Sequence, residues 1–401
     1  MNRRISISVI LSIVILIASV FVSVKLKSPT KETSISANTT TMTENSIDAN
    51  EEMRGLWVSY LSLDMQNTDK SFESFKEKFN NIITEAKKYK CNTLIVQVRP
   101  FCDALYNSSY FPYSHILSGE QGKKVGYDPL KYMCKTSHEN NMKIHAWINP
   151  LRVSNTSSDF ELSDDNPYIK NPEISLVTTS GVYLNPALID ARNLITNGVR
   201  EIVENYEIDG IQFDDYFYPP DISKEDAEYY NNYKDTTESD RLLTLSDWRE
   251  NNINLLIAEV YKTIKSADQN VVFGISPQGN IENNKSIYAN PALWCKVQGY
   301  IDYICPQLYF STSHPTLPFE KALKNWKELP YHKTLKVYIG LAVYKAGTKE
   351  DNGTWQLSSS ILKDELLLLR KYKYDGFMLY EYRSLKEESA QKELSNLSDA
   401  I

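Results

Sequence analysis

Residues 209–216 read Asp-Gly-Ile-Gln-Phe-Asp-Asp-Tyr, a short apolar run that ends in two carboxylates. Side chains alternate along a β-strand, so Gln212, Asp214 and Tyr216 share one face and the residues between them share the other. The apolar face is expected to pack against helices, which turns the polar face toward an interior. A buried strand with polar residues at its carboxyl end is typical of a parallel barrel, which carries its functional residues there.

The same pattern recurs along the chain from residue 53 onward, with helical patterns between the apolar runs. The predicted strands are 54–60, 93–99, 143–149, 210–215, 271–276, 303–308, 336–341 and 376–380. Eight strands with intervening helices predict an α/β fold, a closed (β/α)8 TIM barrel over residues 53–385. Long loops after strands two, three and four, at 100–127, 150–189 and 216–245, are expected at the substrate-binding face.

Helices are predicted between the strands from apolar residues at helical spacing. Their ranges are 72–89, 129–140, 191–205, 246–266, 291–299, 318–328 and 359–372, with a helical tail at 386–401. Ser246 and Ser359 are expected to cap two of these helices at their N-termini.

The N-terminus indicates export. Arg3 and Arg4 precede an apolar run over residues 5–24, which is long enough to cross a bilayer. Residues 1–24 are interpreted as a signal anchor or a cleaved signal peptide, and residues 25–52 as a flexible linker. Either interpretation places the body of the protein outside the cytoplasm, membrane-anchored or secreted. The net charge of −7 and the lack of a long basic run argue against a nucleic-acid partner, and the oligomeric state stays open.

The five cysteines fit neither a zinc site nor a redox pair by their spacing, although Cys295 and Cys305 are candidates for a disulfide. With only 5 histidines and no ligand cluster, neither a metal nor a cofactor is expected. This pattern disfavours a metal-dependent deacetylase.

The candidate catalytic residues are carboxylates at strand ends: Asp214, Asp215 and Glu381, with Glu282 as a further candidate acid. Asp215 lies on the opposite face of its strand from Asp214 and either reacts or orients a neighbour. Glu381 follows the last strand and could face the mouth of the barrel. Because it shares its alternation with Phe377 and Leu379, it could instead face a helix.

A structural alternative is open for the strand-four carboxylates, which could cap the following loop or pair with Arg99 or Arg152. His145, deep in strand three, is interpreted as a buried, hydrogen-bonded residue. Asp209 and Asp375 open strands in Asp-Gly pairs and are interpreted as turn residues. The candidate substrate-binding residues share positions at or near strand ends: Arg99, Trp147, Asn149, Gln212, Tyr216, Gln278, Gln307 and Tyr309.

A carboxylate-centred cleft in a chain with 27 Tyr and 6 Trp suits glycoside hydrolysis, which needs one carboxylate near the sugar cation and one acid for the leaving oxygen. The segments MRGLWVSY, QVRPFCDALY, HAWINPLRV, DGIQFDDYFYP, ISPQGN, PQLYF and DGFMLYEYR, in this order over residues 52–385, resemble the bacterial glycosyl hydrolase-like ten family.

This resemblance implies a barrel glycosidase of the cell envelope, acting on peptidoglycan glycan strands whose peptides have been removed. Asp214 also resembles the strand-four nucleophile of the α-amylase superfamily, although Gln212 stands where those enzymes carry Arg. The alternative function is a non-catalytic carbohydrate-binding envelope protein on a degenerate barrel.

Overall fold

Eight parallel strands close into a barrel in the computed structural model, which describes residues 52–158 and 160–401. They are β1 (Met53–Val58), β2 (Thr93–Arg99), β3 (Lys143–Ile148), β4 (Gly210–Phe213), β5 (Val272–Ile275), β6 (Tyr303–Ile304), β7 (Lys336–Ala342) and β8 (Gly376–Tyr380). Each strand pairs in parallel with its chain neighbours, and β8 closes onto β1. The predicted TIM barrel is confirmed.

The main helices lie between the strands or after the last one. They are α1 (Phe72–Lys88), α2 (Pro129–Glu139), α3 (Ile189–Asn205), α4 (Leu245–Ala267), α5 (Pro291–Lys296), α6 (Phe319–Lys327), α7 (Ile361–Lys371) and α8 (Gln391–Ser398). The long loops follow β2, β3 and β4, as expected. The loop after β3 contains an antiparallel sheet of Arg152–Asn155, Ser175–Thr178 and Gly181–Leu184, and the loop after β4 contains a helix, Ala227–Thr236.

Two expected helix caps are wrong. Thr244, not Ser246, caps α4, because its side chain accepts a hydrogen bond from the Asp247 N–H. Helix α7 begins after Ser360, whose side chain makes no capping bond. Its first N–H groups instead donate to the carboxylate of Glu393 in α8, a partner from another helix.

Large rings fill the barrel interior where a neighbouring strand carries glycine. A Cβ on Gly274 would lie 2.1 Å from the Tyr303 ring, and one on Gly210 would lie 2.8 Å from the His145 ring. Trp57, Trp147 and Tyr303 belong to one buried interior cluster. The interior of the barrel is therefore filled by side chains, as expected for a TIM barrel.

A polar side chain precedes every second strand and ties it to the strand before. Each accepts a hydrogen bond from a backbone N–H of that strand: Asn92 from Arg54 (2.9 Å), Asp209 from Ile144 (2.8 Å), Asp302 from Phe273 (2.7 Å) and Asp375 from Val337 (2.9 Å). These contacts lie at the amino ends of the strands, away from the mouth. Asp209 and Asp375 thus have a structural role on the face opposite the mouth, although their side chains join neighbouring strands rather than form the turns that the Asp-Gly pairs predict.

All five cysteines are free and buried, so Cys295 and Cys305 form no disulfide. Within the part of the chain that the structure describes, no helix has the length and apolar character needed to span a bilayer. The predicted signal segment 1–24 and, apart from Glu52, the predicted linker 25–52 lie outside the described residues.

Candidate active site

Asp214 lies one residue past β4, at the mouth of the barrel, and is 4% exposed. The indole Nε1 of Trp147 donates to its Oδ2 at 2.9 Å, and the amide Nδ2 of Asn149 donates to the same oxygen at 3.4 Å. The backbone N–H of Tyr216 donates to Oδ1 at 3.3 Å. Because all these partners are donors, the arrangement suits an ionised carboxylate.

Burial raises the pKa of Asp214 from 3.8 to about 7. The Arg152 guanidinium and the Trp147 hydrogen bond pull this pKa down, while the neighbouring Asp215 carboxylate pushes it up. The Asp214 carboxyl therefore changes charge near neutral pH, in the range where catalytic carboxylates are commonly found.

Asp215 projects to the side, as the alternation along the strand predicts. Its Oδ1 accepts a hydrogen bond from Nε2 of Gln307 at 2.9 Å, and the Gln278 side chain lowers the pKa of the same carboxyl. Burial raises its pKa, and these amide donors oppose the shift. Asp215 is thereby held against residues that follow β5 and β6.

Glu381 directly follows β8 and is 8% exposed. In the closed barrel, β8 stands four strands from β4 in either direction, so Glu381 and Asp214 belong to opposite walls. Burial raises the pKa of Tyr380, and the charges of Glu381 and Asp214 both add to that shift. The Glu381 Oε2 also accepts the backbone N–H of Ser59 at 3.3 Å. Glu381 therefore faces the mouth rather than a helix.

Tyrosine rings line the mouth on the Glu381 side. The rings of Tyr309 and Tyr380 stack with centroids 5.5 Å apart, and the Tyr344 ring lies edge-on to both. Tyr344 is 40% exposed, and Tyr216 on the opposite wall is 52% exposed. Such rings are suited to stacking on sugars.

Two of these rings are absent from the sequence-based prediction. Tyr380 could have been found, because it shares its alternation with the interior residue Met378. Tyr344 lies on a short 3-10 helix after β7, where no periodicity marks its direction.

Arg99 does not line the mouth, which corrects its prediction as a substrate-binding residue. The register of β2 against β3 shifts between Gln97 and Arg99, and this bulge turns Arg99 outward. Its guanidinium is fully buried, lies 4.5 Å from the Phe111 ring centroid and packs beside Gly198 of α3.

Gln212 and Asn149 are each 1% exposed, so their side chains support the site rather than contact a substrate at the mouth. Gln212 lies inside the barrel and accepts a hydrogen bond from Trp57 Nε1 at 3.2 Å. Asn149 holds the Asp214 carboxylate with its Nδ2 and accepts the Arg152 N–H with its Oδ1 at 3.0 Å. The structure brings Trp147, Tyr216, Gln278, Gln307 and Tyr309 together with Asp214, Asp215 and Glu381 at the mouth.

The remaining candidates lie apart from this group. Glu282 is exposed and pairs with Lys285 on a 3-10 helix. His145 is buried, its Nδ1 lies 3.0 Å from the Tyr303 hydroxyl, and burial lowers its pKa to about 4, which keeps it neutral. Among residues 52–158 and 160–401, no three or more His, Cys, Asp or Glu side chains form a group that could hold a metal ion.

Sequence comparison matches residues 52–356 to the model of the family described as Glycosyl hydrolase-like 10. Glycosyl hydrolase YngK of Bacillus subtilis (strain 168) is 33% identical over 322 residues, covering 75% of this chain and 62% of that protein. The chain thus spans less than two thirds of the length of this relative. Glycosyl hydrolase DigH of Escherichia coli (strain K12) is 30% identical over 388 residues, 87% of each chain.

Among solved structures, the glycoside hydrolase domain of PgaB (BpsB) from Bordetella bronchiseptica superposes with a TM-score of 0.59 at 12% identity. The match covers 88% of this chain and 99% of that domain. A cold-adapted β-galactosidase from Rahnella sp. R3 gives a TM-score of 0.58 at 9% identity, over 88% of this chain and 56% of that enzyme. At these identities the likeness shows a shared barrel fold.

Proposed function

The chain belongs to the glycosyl hydrolase-like 10 family, and from that premise we propose that it cleaves glycosidic bonds in peptide-free peptidoglycan glycan strands outside the cytoplasm. The prediction of a glycosyl hydrolase is confirmed at the level of the family. One observation supports the reaction most strongly. Asp214, on the β4 wall, is a buried carboxylate that accepts only N–H donors, and a second carboxylate, Glu381, stands on the β8 wall.

The two carboxylates have the two different roles that glycoside hydrolysis requires. The ionised Asp214 stabilises or attacks the sugar carbon as positive charge develops there. Glu381 supplies the proton to the leaving oxygen, because among the described residues its carboxylate accepts only the 3.3 Å bond from Ser59 and so keeps an oxygen free. The tyrosines of the rim exclude water and stack against the sugars on either side of the broken bond.

The substrate is tested with purified sacculi divided into two portions, one of which has its peptides removed by an amidase. We expect mass spectrometry to find released saccharides only from the peptide-free portion. Asp214→Asn should release none, and the matched control Asp268→Asn, an exposed residue between α4 and β5, should behave as the wild type. Binding of the strands without any release by the wild type would contradict the enzymatic proposal and favour a carbohydrate-binding protein.

The location outside the cytoplasm rests on the sequence of residues 1–24. Fractionation of cells that produce the full chain should place it in the membrane, or in the exported soluble fraction if the segment is cleaved. A chain lacking residues 1–24 should stay in the cytoplasm. Recovery of the full chain from the cytoplasmic soluble fraction would contradict this location.

A further inference from the structure

We propose that Arg152 binds a carboxylate of the substrate, so that the site selects glycans whose sugars carry a free acid. This inference rests on the proposed function and names the group that the site recognises. No sequence pattern marks Arg152 as a substrate-binding residue, because it lies in the loop after β3 and opens the strand Arg152–Asn155.

The Arg152 side chain is held in one orientation by the loops around it. Its Nε donates to the backbone oxygen of Pro100 at 3.2 Å. Its guanidinium carbon lies 4.5 Å from the Phe101 ring centroid and 5.0 Å from the Tyr216 ring centroid. Its own backbone N–H is bonded to Asn149, which also bonds Asp214. The guanidinium is thus fixed beside the catalytic carboxylate before any substrate arrives.

The two terminal nitrogens of Arg152 are unengaged. Among the residues that the structure describes, neither makes a hydrogen bond or an ion pair, and neither is sealed from solvent as the guanidinium nitrogens of Arg99 are. Arg249, another buried arginine, differs because its Nε and one terminal nitrogen donate to the two carboxylate oxygens of Asp226. An immobilised guanidinium with open terminal N–H groups matches the two oxygens of a carboxylate.

Charge explains why such a group is needed at this mouth. Asp214, Asp215 and Glu381 repel an anionic sugar, and Arg152 lowers the pKa of both aspartates without forming an ion pair with either. In peptidoglycan, the lactyl ether of N-acetylmuramic acid is a free carboxylate only after the peptide is removed. With the peptide attached it is a neutral, bulkier amide. Recognition by Arg152 therefore gives a physical reason for a preference for peptide-free strands.

The test compares peptide-free glycan strands with the same strands after their carboxylates are converted to neutral methylamides. For the wild type, we expect KM to be roughly 10- to 100-fold lower on the acid form, the range that a charge-assisted hydrogen bond supplies, with similar kcat. Arg152→Gln should lose this preference, and Arg152→Lys should restore part of it because a point charge remains. The preference of the wild type is measured without any variant, so a variant that fails to fold does not prevent the test.

A different role for Arg152 predicts a different result. If Arg152 only tunes Asp214, Arg152→Gln lowers kcat/KM equally on both substrates and moves the pH profile, and the wild type shows no preference; that outcome overturns the inference. If the wild type cleaves neither preparation, the proposed function fails instead. Binding of the two preparations to the Asp214→Asn protein then decides the inference separately, and equal Kd values would overturn it.

Discussion

Trp147 and Asp214 are joined across neighbouring strands by a hydrogen bond of 2.9 Å from the indole Nε1 to the carboxylate Oδ2. Both side chains are more than nine-tenths buried, so the bond lies where water screens it little. It opposes the rise in the Asp214 pKa that burial causes. The relationship ties the charge of the central carboxylate to one side chain on the adjacent strand.

Trp147→Phe keeps an aromatic ring at this position and removes this donor. We expect the pKa of Asp214 to rise and kcat to fall by roughly 10- to 100-fold, the value of a hydrogen bond to a charged group. Since the ionised form of Asp214 is required, kcat/KM should rise with pH through about 7 in the wild type and at higher pH in the variant.

Trp57→Phe is the matched control, because its indole bonds the Gln212 amide inside the barrel rather than a carboxylate. The pH profile of this control should match that of the wild type. A wild-type profile that falls as pH rises through 7 would contradict the assignment and make Asp214 the proton donor.

Asp214 should also make the stability of the protein depend on pH. Its folded-state pKa of about 7 lies above the ordinary value of 3.8, so its contribution to stability is present at low pH and is lost as pH rises to 7. Asp214→Asn removes this loss. Relative to the wild type, the free energy of unfolding of the variant should increase by about 2.7 kcal/mol between pH 5 and pH 8, because the loss covers about two pH units at 1.36 kcal/mol each. Urea unfolding at both pH values measures it, and a pH-independent difference would contradict the raised pKa.

Glu381→Gln should abolish proton donation while leaving Asp214 in place. We expect a large fall in kcat on natural glycan strands and a much smaller fall on an aryl glycoside whose leaving group needs no proton. Glu282→Gln, at an exposed residue outside the mouth, serves as the control. An equal loss on both substrates would remove Glu381 from the role of acid.

The helix cap found at α4 gives a test of the fold. Thr244→Ala removes the side chain that accepts the Asp247 N–H and should lower the free energy of unfolding by about 1 kcal/mol. Ser246→Ala, inside the helix, should leave it nearly unchanged. Equal effects of the two substitutions would contradict the assignment of Thr244 as the residue that caps α4.

Strand order and barrel closure followed from the sequence because each strand is buried on both faces and is therefore an apolar run. Local departures had no such signal. The bulge that turns Arg99 outward depends on pairing with β3, and α7 takes its cap from Glu393 on another helix. Strand β6 has only two regular residues, Tyr303–Ile304, where six were predicted, since Pro306 lacks the N–H that a ladder needs.

The sequence predicted the residues of the candidate site that lie on regular barrel strands but not those that lie in loops. Asp214 and Trp147 lie at inward positions of regular strands, so alternation places them at the mouth. Arg152 lies on a short strand of the loop after β3, outside the barrel, and Tyr344 lies on a 3-10 helix after β7, so only the folded loops bring them to the site.

The kinetics of Asp214→Asn on peptide-free glycan strands, with Asp215→Asn measured beside it, decide whether Asp214 is the central catalytic carboxylate. The substitution keeps the volume and removes the charge, which matters most in the transition state. We expect a fall in kcat of roughly 10³-fold or more with little change in KM, and a smaller loss for Asp215→Asn. Near-wild-type turnover of Asp214→Asn together with abolished turnover of Asp215→Asn would contradict it and assign the reaction to Asp215.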